Sequence, residues 1–510
     1  MDRWRTLREA SRAGGGEERT AAQRKRGKLT ARERIELLVD PGSFVEHQTY
    51  ITGRSEAFGL KDKRVPGDGV VTGSGKIFGR QIWLSSQDFT VLGGSLGEMH
   101  ARRIAEAQTL AIRTGCPFVA INDSGGARIQ EGILSLEGYG AIFRNNTIAS
   151  GVIPQISVIL GPCAGGAAYS PALADFVCMV NGVSNMFITG PDVIRAVTGE
   201  QIDHETLGGA VSHSQISGVS HFNFADEQEC FAVLRTMLSY LPPNSRELPP
   251  LSEYSDPADR DTASLLRIVP DDDKKSYDML DVIGDILDRD SFLEVHATFA
   301  TSIVVGFGKL AGRTVGVLAN QPRYLAAAMD INVSDKAARF VRFCDAFNVP
   351  IVSLVDVPGF LPGVAQEHGG IIRHGAKLLY AVAEATVPKV ALVLRKAFGG
   401  AFISMCSKAL GFDRVLALPF SQIAVMGAEG AANIVFRRDI VNSDNPEDVR
   451  KEKIEEYKQS VMDPFVAARL GFIDDVIDPE DCRAEVIRSI EMLADKREDR
   501  PYRKHGNIPL

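Results

Sequence analysis

Residues 349–359, VPIVSLVDVPG, repeat the pattern of residues 116–126, CPFVAINDSGG, at an offset of 233 residues. In both stretches an apolar run with β-branched residues ends in an aspartate and is followed by a glycine-containing turn. A short apolar run bounded by turn residues is typical of a buried β-strand. The two stretches therefore predict that one structural block occurs twice in the chain.

Two further pairs of segments keep this register. GSGKIFGR (73–80) matches GFGKLAGR (306–313) at the same offset of 233, and IPQISVILGPCAGGA (153–167) matches VPKVALVLRKAFGGA (387–401) at 234. In each copy, apolar β-branched runs alternate with segments of helical periodicity, which is typical of an α/β domain. The sequence thus predicts an α/β fold built as a tandem duplication.

The copies differ in length, and a polar stretch separates them. LVDPGSFVE (38–46) resembles ILDRDSFLE (286–294) at an offset of 248, so the first copy holds about 15 additional residues, assigned to the polar loop at 54–68. Residues 241–262 are rich in proline and acidic residues, as expected of a domain boundary. We place the boundary near residue 264, giving domains 1–264 and 265–510, the first with a charged helical N-terminal arm.

A pair of adjacent glycines follows the same predicted strand in each copy. Gly165 and Gly166 come after QISVIL, and Gly399 and Gly400 come after KVALVL. Helix-compatible residues follow each pair, so the first N–H groups of a helix would face outward and attract negative charge. Glycine has no Cβ, so a carbonyl group could approach these N–H groups closely. The pattern predicts two oxyanion-binding sites; the alternative is that the glycines only allow close packing.

Composition and charge limit the classes of function. The 510 residues are 45% hydrophobic and carry a net charge of -8, which disfavours a nucleic-acid partner. Seven scattered cysteines without a CxxC pair, and an N-terminus without the apolar core of a signal peptide, predict a cytoplasmic protein. The apolar region 153–180 is interrupted by proline and glycine and is predicted to form buried core, not a membrane span.

Other candidate motifs have simpler interpretations. GSGKIFG is spaced like part of a dinucleotide-binding loop, but its recurrence as GFGKLAG favours a hairpin turn. The run RKRGK (24–28) is predicted to be a solvated face or a subunit contact. Three histidines at positions 204, 213 and 221 do not share a helical face, so no metal site is predicted. Asp123 and Asp356 are interpreted as turn residues, and no side-chain acid or base stands out.

With these residues in view, the chain resembles the carboxyltransferase (β) subunits of biotin-dependent acyl-CoA carboxylases. It is similar to propionyl-CoA carboxylase β, methylmalonyl-CoA decarboxylase α and transcarboxylase large subunits. The motifs that carry the resemblance span nearly the whole chain and include GKLTARERIELLVDPGSF (27–44), DSGGARIQEG (123–132), GPCAGGAAYSPA (161–172), VDVPGFLPG (355–363), RKAFGGAF (395–402) and IAVMGAEGAANI (423–434).

The resemblance implies a fold, an assembly and a reaction. It implies two crotonase-like domains per chain in a homo-hexamer with active sites at dimer interfaces. The reaction would move a carboxyl group between carboxybiotin and a short-chain acyl-CoA, with propionyl-CoA and (S)-methylmalonyl-CoA as the expected pair. Biotin would be held on a separate carrier, the biotin carboxylase would be another subunit, and this chain would contain no metal.

The resemblance also assigns residues. Gly165 and Gly166 would hold the thioester carbonyl of the acyl-CoA in the first domain, and Gly400 and Ala401 the ureido oxygen of biotin in the second. Enolates of biotin and of the acyl-CoA would be stabilised there, which would make a protein acid or base unnecessary. Ile403 matches a family position that lines the acyl pocket, although it could also be a core residue of its helix. The implied substrate contacts are Ala167, Tyr169, Gly399, Phe402 and Ile403.

Several alternatives stay open. The chain has no MKM biotin-attachment sequence and no glycine-rich ATP-binding loop with its lysine, so biotin carboxylation is expected on other chains. The same reversible half-reaction could serve a carboxylase, a methylmalonyl-CoA decarboxylase or a transcarboxylase. A non-catalytic scaffold subunit is the alternative from another class, and a hydratase or isomerase would need a positioned acid or base.

Overall fold

The computed structural model describes residues 1–509, which form two compact units, Met1–Leu248 and a second that begins at Pro249. The predicted boundary near residue 264 therefore lies inside the second unit. The intervening residues belong there because they bond to it: Ser252 N donates to Gly312 O at 3.0 Å, and Thr262 Oγ1 donates to Pro479 O at 2.6 Å. Each unit is an α/β domain, and each is described on its own.

The first unit alternates strands with helices after a helical N-terminal arm. Its strands are β1 (Val45–His47), β2 (Val70–Ile77), β3 (Arg80–Gln87), β4 (Phe118–Ser124), β5 (Gln155–Ala164), β6 (Phe176–Val180), β7 (Asn185–Phe187) and β8 (Phe222–Phe224). Its helices are α1 (Asp2–Ala13), α2 (Glu17–Lys25), α3 (Ala31–Leu38), α4 (Glu98–Thr114), α5 (Ile133–Ala149), α6 (Gly166–Leu173), α7 (Pro191–Thr198), α8 (His204–Gly208), α9 (Ala210–Gln215) and α10 (Glu227–Tyr240).

The second unit repeats this plan. Its strands are β9 (Leu293–Val295), β10 (Ile303–Leu310), β11 (Arg313–Asn320), β12 (Ile351–Val357), β13 (Lys389–Phe398), β14 (Arg414–Ala417), β15 (Gln422–Ala424) and β16 (Asp475–Val476). Its helices are α11 (Leu265–Ile268), α12 (Met279–Ile286), α13 (Ile331–Ala346), α14 (Val364–Gly369), α15 (Ile371–Glu384), α16 (Gly399–Cys406), α17 (Ala428–Val435), α18 (Arg437–Val441), α19 (Pro446–Tyr457), α20 (Pro464–Arg469) and α21 (Cys482–Met492).

The two sheets confirm the predicted duplication. The first has the strand order β1-β2-β3-β4-β5-β6-β8, with β7 paired to β5, and the second has β16-β14-β13-β12-β11-β10-β9, with β15 paired to β13. Register is also repeated, because Phe118 pairs with Gln155 in the first sheet and Ile351 pairs with Lys389 in the second. The central pairs are parallel, so the carboxyl ends of β4 and β5, and of β12 and β13, lie together at one edge of their sheet.

The repeated GxGK segments form hairpins, as predicted. β2 pairs antiparallel with β3, and β10 pairs antiparallel with β11. Each turn has two residues in the left-handed region, Phe78 and Gly79 in the first unit and Ala311 and Gly312 in the second. Two positive φ angles at the centre of a two-residue turn suit the right-handed twist of the flanking strands. A dinucleotide-binding loop is therefore excluded at this position.

The apolar region 153–180 forms core, as predicted, because it contains β5, α6 and β6 and every residue of β6 is buried. No helix within residues 1–509 combines the length and the apolar character that crossing a membrane requires. All seven cysteine thiols are free and buried.

Candidate functional site

In the first unit, a glycine turn leads from β5 into helix α6. Gly165 adopts φ 61° and ψ -125°, a conformation that favours glycine, and its N–H donates to Phe187 O at 3.0 Å. Helix α6 then begins at Gly166 without a side-chain cap. The N–H groups of Gly166 and Ala167 have no partner within the helix, and the positive end of the helix dipole lies beside them. These two donors form a candidate oxyanion site.

Aromatic side chains border this helix. A Cβ on Gly166 would lie 3.0 Å from Cδ2 of Tyr139, so local packing alone already favours glycine at this position. The absence of a side chain also leaves the backbone accessible to a ligand. Burial raises the pKa of the Tyr139 phenol, which is therefore neutral. Ala167 is buried, whereas Tyr169 is half exposed and packs edge-on against Phe143.

The second unit has the equivalent turn, but its second glycine has more space around it. Gly399 adopts φ 59°, helix α16 begins there, and no side chain caps it. Gly400 is exposed, and a Cβ on it would lie 3.4 Å from the Phe360 ring, an ordinary contact distance. The protein's own packing therefore does not require glycine at position 400. Because packing does not explain the glycine at position 400, the glycine favours a ligand that approaches the backbone of Gly400 and Ala401.

Residues after the second glycine pair extend an apolar surface. Ala401 is fully buried, Phe402 is partly buried, and Ile403 is 45% exposed. Ile403 is therefore not a core residue of its helix within this unit. Its exposed side chain could contact an apolar group of a ligand.

Each unit also contains a short left-handed turn after the hairpin strand, which the sequence did not predict. Leu92, Gly93 and Gly94 have φ angles of 50°, 64° and 62°. At the equivalent positions, residues Leu325, Ala326 and Ala327 have φ angles of 49°, 50° and 65°. Three consecutive left-handed residues without glycine are strained. The LGG sequence of the first copy could have indicated this turn, but the LAA sequence of the second could not.

These turns lie against the loops that leave β4 and β12. Gly93 O accepts from Gly125 N at 3.0 Å, and a Cβ on Gly126 would lie 2.9 Å from Ala164 O, next to the first glycine pair. In the second unit, Met329 N donates to Gly359 O at 3.1 Å, and the neighbouring Phe360 ring lies beside Gly400. The left-handed turn, the loop after the central strand and the glycine-opened helix thus meet at the same sheet edge in each unit.

Comparison with known proteins identifies the family. A model of the carboxyl transferase domain matches residues 22–508. The chain belongs to the carboxyl transferase domain family. It is 53% identical over 100% of its length, and 99% of the relative's, to the carboxyltransferase subunit of propionyl-CoA carboxylase from Haloferax mediterranei. It is 54% identical to the α subunit of methylmalonyl-CoA decarboxylase from Veillonella parvula, covering 98% of this chain and 96% of the relative.

A solved structure of transcarboxylase 12S, described as a hexamer assembly with methylmalonyl-coenzyme A and methylmalonic acid bound, matches with a TM-score of 0.98. It is 52% identical, and the match covers 100% of this chain and 98% of that one. The carboxyl transferase chain therefore shares the family fold: the duplication that its sequence predicted and the crotonase-like domains that the resemblance implied are both confirmed.

In the first unit of this carboxyl transferase, Asp123 is a buried anion. It lies within β4, and its carboxylate bonds to Lys28 Nζ at 2.7 Å and to Arg34 Nη1 at 2.9 Å. Arg34 is fully buried and also binds Glu227 through two nitrogens, each at 2.8 Å. Burial lowers the pKa of Lys28. The interpretation of Asp123 as a turn residue was wrong, because the carboxylate neutralises cations behind the sheet edge.

Asp356 is at the position in the second unit that corresponds to Asp123, but its ion-pair partner differs. It lies within β12 and accepts from Arg395 Nε at 3.0 Å. Arg395 Nη1 also donates to the carbonyl oxygens of Asp272 and Lys275, and the Tyr277 ring lies over its guanidinium group. The turn interpretation was wrong here too. Both carboxylates are therefore held in buried ion pairs.

The remaining predictions concern metals and the basic run. Within residues 1–509, no three His, Cys, Asp or Glu side chains are grouped so that they could hold a metal ion. His213 Nε2 and His221 Nδ1 instead bond to the backbone at Met186 O and Val177 N. The run RKRGK is solvated through Arg26, as predicted, but its last residue, Lys28, is largely buried against Asp123.

Proposed function

We propose that the chain is a carboxyltransferase subunit that moves a carboxyl group between biotin and a short-chain acyl-CoA, with propionyl-CoA and methylmalonyl-CoA as the substrate pair. The observation that carries the proposal is the pair of uncapped, glycine-opened helices at equivalent strand ends. Relatives named for propionyl-CoA and methylmalonyl-CoA, each more than half identical over nearly the whole chain, support the substrate class.

The first unit would bind the acyl-CoA thioester. Its carbonyl oxygen would accept from the N–H groups of Gly166 and Ala167, which would stabilise the negative charge that develops on it when the α carbon loses a proton. Gly165 would shape the turn and would not donate, because its N–H is already bonded to Phe187 O. The exposed ring of Tyr169 would form part of the surface for the acyl chain.

The second unit would bind biotin, and its residues fit that group. The N–H groups of Gly400 and Ala401 suit a carbonyl oxygen such as that of the ureido ring, and the bare backbone at Gly400 lets a planar ring approach. Gly399 would supply the turn, and Phe402 and Ile403 the adjoining apolar surface. When bound, biotin would act as the carrier of the carboxyl group, which it accepts or donates in the reaction.

Partners and direction belong to the same proposal. We expect a homo-hexamer, with biotin carboxylase and the biotin carrier on other chains. The description of transcarboxylase 12S as a hexamer assembly supports a hexamer. Relatives named for carboxylation and for decarboxylation are equally similar, so the proposal covers the reversible half-reaction. The free, buried thiols suit a cytoplasmic location.

The test is label transfer by the purified chain. Methylmalonyl-CoA labelled in its free carboxyl group should pass the label to added biotin or to a biotinylated carrier. Gly400→Ala should lower the transfer rate by about 100-fold, the usual effect of impairing one oxyanion donor, because the new methyl group blocks the approach to the N–H groups. The variant should fold normally, since that methyl group meets only an ordinary contact.

Gly284→Ala is the matched control. Gly284 lies in helix α12, and a Cβ there would meet nothing within 4 Å. Its transfer rate should equal that of the wild type. Normal transfer by Gly400→Ala would contradict the role of the second helix. A wild-type chain that neither transfers label nor binds CoA in calorimetry would favour the scaffold alternative.

A further inference from the structure

Beside the β2–β3 hairpin of the first unit, an aspartate holds an arginine that stays partly exposed. Asp40 accepts from Gly79 N at 2.9 Å and from Arg235 Nη2 at 2.9 Å. Arg235 Nη1 donates to Leu38 O at 2.6 Å, whereas Arg235 Nε has no hydrogen-bond partner within residues 1–509. The Arg235 and Asp40 side chains are 22% and 27% exposed. The arginine therefore keeps one donor available to an additional group.

The second unit repeats this pair, but there the pair is covered. Asp288 accepts from Gly312 N at 2.8 Å and from Arg483 Nη2 at 2.6 Å. Arg483 is fully buried, and the Asp288 side chain is only 8% exposed. The Nε atom that has no partner in the first unit donates here to Pro257 O at 3.0 Å. The cover is therefore the segment that precedes α11.

This segment, residues 252–258, passes over the hairpin turn of the second unit. Ser252 N donates to Gly312 O at 3.0 Å, and a Cβ on Gly312 would collide with Ser252 O. Lys309 Nζ donates to Ser252 Oγ, and the Asp256 carboxylate lies 3.8 Å from Arg483 Nη2. The sequence of the segment, SEYSDPA, has two acidic residues and no basic one. In the second unit, the repeated surface thus binds an acidic segment of the chain.

The corresponding surface of the first unit is bare. A Cβ on Gly79 would meet nothing within 4 Å. Lys76, at the position of the lysine that binds the segment in the second unit, is exposed and forms no ion pair within residues 1–509. Phe78 is 58% exposed, and the Arg235 guanidinium carbon lies 4.8 Å from the centroid of its ring. We call these four residues the hairpin surface; its exposed ring and two cations suit an acidic chain with an apolar side chain.

We propose that the hairpin surface of the first unit binds an acidic segment of a partner protein, as the second unit binds its own residues 252–258. A backbone carbonyl group of the partner would accept from Arg235 Nε, and its carboxylates would pair with Arg235 and Lys76. An apolar side chain of the partner would pack on the Phe78 ring. A second copy of this chain is a less suitable occupant, because its residues 252–258 are already bound to its own second unit. The hairpin surface contains no residue of the two glycine sites, so its role is independent of the proposed reaction.

A fluorescently labelled peptide with the sequence of residues 252–258, SEYSDPA, is the probe, and its anisotropy should rise when it binds the purified chain. Lys76→Glu reverses one charge and should weaken binding about tenfold. Phe78→Asn removes the ring, keeps a residue that tolerates the φ of 50°, and should weaken binding similarly. Both positions are exposed, so the variants should fold and should retain wild-type label transfer. A peptide carrying Asp256→Asn should bind the wild-type chain about fivefold more weakly.

Lys61→Glu is the matched control, because it makes the same charge change at an exposed position outside the hairpin surface. Its affinity for the peptide should stay within about twofold of the wild type. Lys309→Glu should also bind the peptide normally, because residues 252–258 already occupy that surface. No binding by the wild type, equal losses in Lys61→Glu and Lys76→Glu, or a loss in Lys309→Glu alone would overturn the proposal.

Sedimentation velocity tests a second copy as the occupant. The oligomer formed by Lys76→Glu and by Phe78→Asn should sediment as the wild type does. If both variants dissociated the oligomer, the hairpin surface would be a contact between copies of this chain, and its assignment to a partner protein would be wrong.

Discussion

Asp123 and Asp356 occupy equivalent places in the two units, yet different parts of the chain neutralise them. The cations for Asp123 come from the N-terminal arm and α3, 95 and 89 residues away in sequence. Asp356 is neutralised by Arg395, which lies on the adjacent strand β13 and is 39 residues away. The repeated fold therefore keeps a buried carboxylate near the end of its central strand, and different residues pair with it in each unit.

The difference shows what each unit depends on. In the first unit, Arg34 of α3 joins the carboxylates of Asp123 on β4 and Glu227 on α10, and Lys28 of the N-terminal arm also binds Asp123, so the arm is part of the structure behind the site. In the second unit, Arg395 joins one carboxylate to carbonyl groups of the segment before α12. Removing the cation should therefore affect the first unit more strongly.

The largest expected effect is that of Arg34→Met. The substitution leaves Asp123 and Glu227 buried with less compensation, and breaking a buried pair by removing one partner costs about 3–5 kcal/mol. Arg395→Met removes the ion-pair partner of one carboxylate and should cost less. Urea unfolding followed by circular dichroism measures both losses.

Arg24→Met is the control for this comparison. Arg24 forms an ion pair with Glu33 while its own side chain is 59% exposed, and such surface pairs contribute about 1 kcal/mol or less. Equal losses in Arg24→Met and Arg34→Met would show that burial of the charges does not determine the cost.

A smaller difference in stability is expected between glycine-to-alanine substitutions at the starts of α6 and α16. Gly166→Ala places a methyl group 3.0 Å from the buried Tyr139 ring and should cost about 1–2 kcal/mol by overpacking. Gly400→Ala meets the Phe360 ring at 3.4 Å and should be neutral, or stabilising by up to about 1 kcal/mol, because alanine favours the helix. Thermal unfolding of the two variants tests the difference.

Gly140→Ala controls for the general effect of filling a helical glycine. Gly140 is exposed in α5, and its Cβ would meet nothing within 4 Å. It should behave as Gly400→Ala does. If Gly166→Ala were as stable as Gly140→Ala, the Tyr139 ring would have moved away from the new methyl group. Packing would then not explain the glycine at position 166.

The parts of this fold that sequence could predict are local and repeated. Apolar β-branched runs, the hairpin turns and the glycines after β5 and β13 have short-range patterns, and the duplication presents each pattern twice. The ion pairs of Asp123 could not be predicted in this way. Their cations lie far away in sequence, and an aspartate at a strand end is compatible with a turn. Sequence therefore located the glycine helices but not the charges behind them.

The left-handed turns also show that a local sequence pattern does not always predict the backbone conformation. In the first unit the sequence LGG permits positive φ, whereas in the second unit LAA gives no indication of it. Tertiary contacts hold the conformation there, because Ala327 is fully buried and Met329, which follows the turn, bonds to the backbone of Gly359 and Leu361. A backbone conformation that packing imposes against local preference is not visible in a single sequence.

The smallest expected effects, of opposite sign, come from exchanging glycine and alanine in these turns. Gly93→Ala places alanine at φ 64° and should destabilise the first unit by about 1 kcal/mol, whereas Ala326→Gly relieves a similar strain at φ 50° and should stabilise the second by up to about 1 kcal/mol. Ala21→Gly, at an exposed position of α2, is the control and should destabilise by about 1 kcal/mol, because glycine disfavours an ordinary helix. Urea unfolding of the three variants gives the signs. If Ala326→Gly destabilised the protein as Ala21→Gly does, the turn would not be strained, and its conformation would need no explanation from packing.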